Sequence, residues 1–124
     1  MSSRDIKDLS SEMRDRAAEW EIKMLQAGID YLITCTRRTI EEQKSLYAQG
    51  RTKPGKKVTW TLKSKHINGD AFDFVIMVDG KPDWKMSHKS LWDKAIEFGK
   101  SLGLTQVIGK NGKVKEYAHL QMAA

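Results

Sequence analysis

Leu9, Met13, Ala17, Trp20, Met24 and Ala27 recur at spacings of three and four, with Glu, Lys and Arg between them, which predicts an amphipathic helix that ends near Gly28. Residues 31–36 (YLITCT) are β-branched and aromatic, and the run is too short for a helix between Gly28 and the Arg37-Arg38 pair. It reads as a buried strand. Thr39 and Glu42 make a T-x-x-E capping box and Gly50 supplies a stop, so a second helix is expected over residues 40–49. Residues 51–69 carry Pro54, Gly55 and Gly69 among basic and polar positions without a sustained period. Loops of that length are usually functional or disordered. Beyond it Phe72, Phe74, Ile76 and Val78 alternate with Ala71, Asp73, Val75 and Met77, a strand whose even positions face the core and whose odd face is open to chemistry. Asp79-Gly80 marks a tight turn. Leu91, Ala95, Phe98 and Leu102 form a third helical stripe closed by Gly103. Two short strands, near 105–108 and 117–122 and joined by a turn at Asn111-Gly112, complete the reading.

Helices interleaved with short, turn-linked strands indicate an α+β domain with a small, largely antiparallel sheet and about three helices. At 124 residues there is room for one such domain, spanning 1–124. The 40% hydrophobic, 31% charged composition excludes disordered and collagenous classes. Neither a membrane span nor a signal peptide is read from the sequence. The single cysteine, Cys35, allows no internal disulfide and reads as a small buried apolar residue. A net charge of +6 favours an anionic partner or substrate surface. The basic residues are spread through the chain and line no single helix face, which weakens a nucleic-acid reading.

Three histidines are present. His66 and Asp73 lie seven apart, so on one continuous strand they would face opposite sides; a turn around Gly69 would fold the loop back and bring imidazole and carboxylate together. Asp73 sits between Phe72 and Phe74, where an unpaired carboxylate is costly and a cation would remove the cost. Near the end of the chain His119 shares a strand face with Tyr117 and Gln121, and Glu116 can join it only through a turn or bulge before Tyr117. His66, Asp73 and His119 would leave the fourth position of a tetrahedral zinc for water, with Glu116 as general base and then acid. His88, beside Ser87 and Lys89, reads as a surface residue. Trp20 and Trp92 fall on helical stripes and read as core, and Trp60 is placed at the cleft edge.

The pattern S-x-H-x-x-G-x-A-x-D at Ser64, His66, Gly69, Ala71 and Asp73, with E-x-x-H at Glu116 and His119, resembles the zinc D,D-peptidase and L-alanyl-D-glutamate peptidase group, which includes VanX- and VanY-type enzymes and many phage endolysins. The stretch TIEEQKSLYAQGRT from Thr39 to Thr52, continuing to Trp60, is similar to the endolysin branch. The resemblance implies zinc at His66, Asp73 and His119, Glu116 as acid/base, Arg38 against the substrate carbonyl or oxyanion, and Ser64 in a hydrogen bond to substrate. Thr36 stands where the family often has Gly, which leaves Arg37 as the alternative to Arg38. Residues 107–110 replace the family's Gly-Gly-Asp/Asn-Trp segment.

What the resemblance implies is a zinc metallopeptidase acting on bacterial peptidoglycan, as a monomeric phage endolysin that cuts L-Ala from D-Glu. Such a protein would accumulate in the host cytoplasm until a separate pore, a holin, released it to the cell wall. The alternatives are a D-Ala-D-Ala carboxypeptidase or dipeptidase with the same metal centre, and a non-catalytic, zinc-containing binding module.

Overall fold

A computed structural model describes residues 2–57, 64–107, 112–114 and 117–123. The first helix, α1 (Ser11–Gln26), buries Met13, Ala17, Trp20 and Met24. Leu9 is buried too, but it caps a short 3-10 helix, Ile6–Asp8, ahead of α1. Ala27 falls beyond the last turn and is exposed. The predicted capping box forms on α2 (Ile40–Ala48): Thr39 Oγ1 accepts from the Glu42 amide and Glu42 Oε1 from the Thr39 amide, both at 3.1 Å. In α3 (Lys89–Ser101) the buried face is Trp92, Ala95, Ile96 and Gly99, whereas Leu91, Phe98 and Leu102 of the predicted stripe are only partly buried. Gly99 explains the offset. A Cβ there would lie 2.8 Å from the Leu120 methyl carbons, so the glycine lets α3 settle directly on the sheet.

The sheet is antiparallel in every pairing, with the order β1 (Tyr31–Cys35), β2 (Ala71–Val78), β5 (His119–Met122), β4 (Leu104–Thr105); β3 (Lys81–Pro82) pairs with the end of β2. Asp79 and Gly80 both take positive φ between β2 and β3, as a two-residue hairpin turn demands. Phe72, Phe74 and Ile76 are fully buried, as the alternation predicts, and Val78 is half-buried. Trp20 of α1 stands 5.0 Å, centroid to centroid, from Tyr31, Phe72 and Phe74, and its indole donates to Ala95 O of α3 at 2.9 Å. Trp92 packs on Phe74 from α3. One sheet face therefore carries both helices and the aromatic core, which leaves the Asp73 side for the site.

The last strands are shorter than expected. Only Leu104 and Thr105 form β4; Ile108 and the Asn111 half of the predicted turn lie outside the described residues, as does Trp60. Strand β5 starts at His119, because the carbonyl of Tyr117 is taken by the Gln106 side chain and that residue turns out of the ladder. No helix among the described residues is long and apolar enough to cross a membrane.

Candidate metal centre

The site is assembled by strand register. The β1–β2 ladder pairs Leu32 with Val75 and Ile33 with Phe74, then slips at a bulge so that Cys35, in place of Thr34, stands opposite Asp73. On the other side of β2, His119 of β5 stands opposite Asp73. Directly opposed residues share a face, so Cys35, Asp73 and His119 form one row across three strands.

His66 reaches this row from the preceding loop. Ser64 caps a 3-10 helix, Lys65–Asn68, by accepting from the His66 amide at 3.2 Å, and Gly69 ends it in the left-handed region at φ 73°. A Cβ at Gly69 would lie 2.8 Å from Ser10 N, so only glycine permits both the turn and its contact with the start of α1. This is the fold-back expected of the turn around Gly69. It brings His66 Nε2 to 3.2 Å from Asp73 Oδ1, with His119 Nδ1 at 2.9 Å from the same oxygen. The imidazoles are edge to face, their centroids 5.0 Å apart.

The outer ring nitrogens decide what the inner ones can do. His66 Nδ1 lies 2.8 Å from Thr36 O, a carbonyl that can only accept, so this nitrogen carries the proton and Nε2 holds the lone pair of the neutral ring. His119 Nε2 lies 3.0 Å from Gln121 Oε1, which fixes the other tautomer and turns the Nδ1 lone pair inward. Both lone pairs then face the carboxylate of Asp73. Buried His66 Nε2 makes no hydrogen bond despite its closeness to that oxygen. Two nitrogen lone pairs and an anionic oxygen repel unless a cation, either a proton or a metal ion, stands among them. This donor set suits zinc: two imidazoles, one carboxylate, and an outer-shell acceptor on each imidazole.

The electrostatics point the same way. Burial disfavours a charged Asp73, but the closeness and charge of His119 and His66 outweigh it and hold the carboxyl below its ordinary range. Burial likewise lowers the His66 pKa, yet Asp73 and Cys35 overcome this and push it up to about 10. Without a metal, the site therefore keeps a proton.

Cys35 is buried, as expected, but it is not merely apolar. Its Sγ lies 3.7 Å from His66 Nδ1 and accepts from Arg38 Nη2 at 3.5 Å, and Cys35, His66 and Asp73 offer ligand atoms within 4.8 Å of one another. Burial raises the thiol pKa, but His66 and Arg38 more than offset it, so the net shift is downward.

Arg38 is brought to the site, whereas Arg37 is exposed. The Arg38 amide donates to His66 O at 3.0 Å, its Nη1 to Gln43 Oε1 at 2.7 Å, and its buried Nε has no partner. Gln43 is fully buried on α2 and was not singled out by the sequence. No local signal marks it, since the polar pattern of α2 does not show which face turns inward. Thr36, in place of the family's Gly, is fully buried and ties the site to the N-terminal segment: its carbonyl faces His66 Nδ1, its amide donates to Ser3 O and its hydroxyl to Asp5 O. His88 is half exposed beside Asp83, away from the row, as its surface reading expects. Glu116 lies outside the described residues; its neighbour Tyr117 is within them.

An α+β fold with a carboxylate between two inward-turned imidazoles defines a protein of the metallopeptidase type. The model of the phage L-alanyl-D-glutamate peptidase family matches residues 2–120, and the chain belongs to that family. It is 36% identical over 124 residues to the peptidoglycan L-alanyl-D-glutamate endopeptidase CwlK of Bacillus subtilis (strain 168), covering 93% of this chain and 74% of that protein. Its fold is similar to that of the L-Ala D-Glu endopeptidase ChiX of Serratia marcescens, with a TM-score of 0.67 and 17% identity over 99% of this chain and 89% of the other. The LD-carboxypeptidase LdcB is alike in fold at a TM-score of 0.70 and 17% identity, over 98% of this chain and 63% of that one. The D,D-dipeptidase VanXYg shares the fold at 0.67 and 19% identity, over 92% of this chain and 50% of its own.

Proposed function

We propose that this protein is a zinc-dependent peptidoglycan hydrolase that cleaves the L-Ala-D-Glu bond of the stem peptide, as a phage endolysin freed to the wall by a separate pore. The observation that carries the reading is the convergence of His66 Nε2 and His119 Nδ1 on Asp73 Oδ1 in a chain of this family. His66, Asp73 and His119 hold the metal. Bound there, zinc supplies a Lewis acid and brings the pKa of water into the neutral range.

The chain's own residues do the rest. Glu116 takes a proton from the attacking water as its oxygen bonds to the L-Ala carbonyl carbon, and gives that proton to the D-Glu nitrogen as the C–N bond breaks. The Arg38 guanidinium, held at Nη1 by Gln43 and at Nη2 by Cys35, presents fixed positive charge to the oxyanion. Ser64, whose oxygen already accepts from the His66 amide, keeps its hydroxyl proton for a substrate carbonyl or carboxylate. The net charge of +6 assists approach to an anionic wall.

Product analysis tests the reading. Zinc-loaded protein is expected to solubilise purified peptidoglycan and to expose new amino-terminal D-Glu by mass spectrometry. Release of terminal D-Ala from an otherwise intact wall would assign the D-Ala-D-Ala carboxypeptidase activity instead. Zinc binding with no product would leave a binding module.

A further inference from the structure

Cys35 stands in the same row as Asp73 and His119, and the zinc reading gives its sulfur no part beyond accepting from Arg38. Its surroundings offer more. One ligand atom from each of Cys35, His66 and Asp73 lies within 4.8 Å of the other two. His66 and Asp73 thus belong to two donor sets, one completed by His119 Nδ1, 2.9 Å from Asp73 Oδ1, and the other by Cys35 Sγ. His66 is 2% exposed and its Nε2 makes no hydrogen bond, so a buried nitrogen lone pair serves either set. Among the described residues the sulfur has two hydrogen-bonding neighbours, Arg38 Nη2 at 3.5 Å and His66 Nδ1 at 3.7 Å, and neither can accept: the guanidinium only donates, and Nδ1 directs its proton to Thr36 O. A metal ion can replace the thiol proton, released to solvent, without breaking a hydrogen bond that the proton makes to either of them.

The two sets differ in softness and in size. Two imidazoles and a carboxylate suit zinc, whereas a thiolate in place of one imidazole favours a more polarisable ion. Bonds of about 2.0–2.3 Å hold the tetrahedral donors of a zinc ion roughly 3.5 Å apart. His66 Nε2 and Asp73 Oδ1, at 3.2 Å, already meet that spacing, while the set that includes Cys35 is bounded only by 4.8 Å and leaves room for a larger ion. We propose that the centre has a second coordination mode, in which Cys35, His66 and Asp73 capture a large thiophilic divalent ion such as Cd2+ and hydrolysis is switched off. This inference rests on the reading of His66 and Asp73 as metal ligands given above. Thiolate and carboxylate together cancel the charge of a divalent ion, which then polarises water and carbonyl less than zinc held by one carboxylate. Sulfur drawn to the ion also gives up its contact with Arg38, which loosens the group that faces the oxyanion.

The test loads metal-free wild type, His119→Ala, Cys35→Ser and Cys35→Ala with Cd2+ or Zn2+ alone and measures ultraviolet absorbance, metal stoichiometry and competition against a chelator. Cys35 is the only cysteine, so thiolate-to-cadmium charge-transfer absorption has no other source. Wild type and His119→Ala are expected to show that absorption with stoichiometric Cd2+, even though His119→Ala loses zinc; neither experiment alters Cys35. Both cysteine variants should lose the absorption and bind Cd2+ more weakly by at least the ~10–100-fold typical of losing an outer-shell partner, with zinc stoichiometry retained. The Cd2+ concentration that halves turnover of the zinc-loaded protein, each variant against its own uninhibited rate, should rise by a similar factor in Cys35→Ser. Cd2+ bound without charge-transfer absorption, or bound equally well by Cys35→Ser, overturns the second mode and leaves the zinc reading standing. Absorption that vanishes in His119→Ala also overturns it, because the two sets would then be one. Wild type that binds neither ion overturns both.

Discussion

The row of Cys35, Asp73 and His119 and the arginine corner meet at Cys35, but they are built differently. Cys35, Asp73 and His119 are placed by backbone ladders, so their relative positions follow from which strand residues pair. Arg38 is placed by a capped helix and two side-chain acceptors, Gln43 and Cys35. Register is shared by every bond of a ladder and survives a single substitution, whereas a side-chain acceptor is lost with its own residue. Substitutions in the row should therefore remove the ligand and leave the scaffold, while substitutions in the corner should leave metal and scaffold and change turnover.

The largest expected effect is in the row. Asp73→Ala and His119→Ala are each expected to weaken zinc binding by at least the ~10–100-fold typical of losing an outer-shell partner. Elemental analysis of the purified protein measures this, and His88→Ala serves as the unaffected control. Because the proposed zinc would bind only the folded state, chelation should also lower the melting temperature of wild type while scarcely changing that of Asp73→Ala. Zinc at full stoichiometry in His119→Ala would break the comparison at its stronger end.

The corner comes next. Arg38→Lys loses the planar fork that Gln43 and Cys35 grip, and turnover should fall by roughly 100-fold with zinc retained. Arg37→Lys, on an exposed side chain, should change it little. Gln43→Leu should cost less than Arg38→Lys, about 10-fold in kcat, since the guanidinium stays charged but loses its 2.7 Å partner. Equal losses in the two arginine variants would dissolve the distinction between them.

The smallest effect is one proton. The folded-state pKa of His66 is raised from 6.5 to about 10, so the stabilisation from its pairing with Asp73 is complete below about pH 6.5 and lost as the pH rises through about 10. Zinc requires the neutral ring. Uptake near pH 8 should release about one proton from His66, and apparent affinity should rise about tenfold per pH unit in that window. Calorimetry in buffers of different ionisation enthalpy measures this; no proton release would mean that His66 is already neutral.

Much of this site was legible because its parts are local or periodic. Alternation put Asp73 on the face opposite Phe72 and Phe74, Gly69 marked the reversal that returns His66, and the two-residue period placed Gln121 beside His119. The bulge at Thr34 was not legible, because YLITC does not alternate strictly between polar and apolar and a register slip leaves no trace in such a run. Without that slip Cys35 reads as one more core residue. Gln43 escaped because a glutamine on a polar helix has the same pattern whether it faces water or the interior. The offset of α3 depends on Gly99 meeting Leu120, a contact between residues 21 apart in sequence that no local period reports.

The separation of the ligands along the chain also orders events during synthesis. His66 and Asp73 leave the ribosome within eight residues of each other, but His119 follows Asp73 by 46 residues, which at ~5–20 residues per second is a delay of a few seconds. For nearly all of that interval the nascent chain has one imidazole and one carboxylate, half of the proposed metal site. Only the docking of β5 against β2 completes it. On the proposed ligand assignment, the last strand to emerge is thus the one that arms the enzyme, and a chain halted before residue 119 is expected to lack hydrolytic capacity.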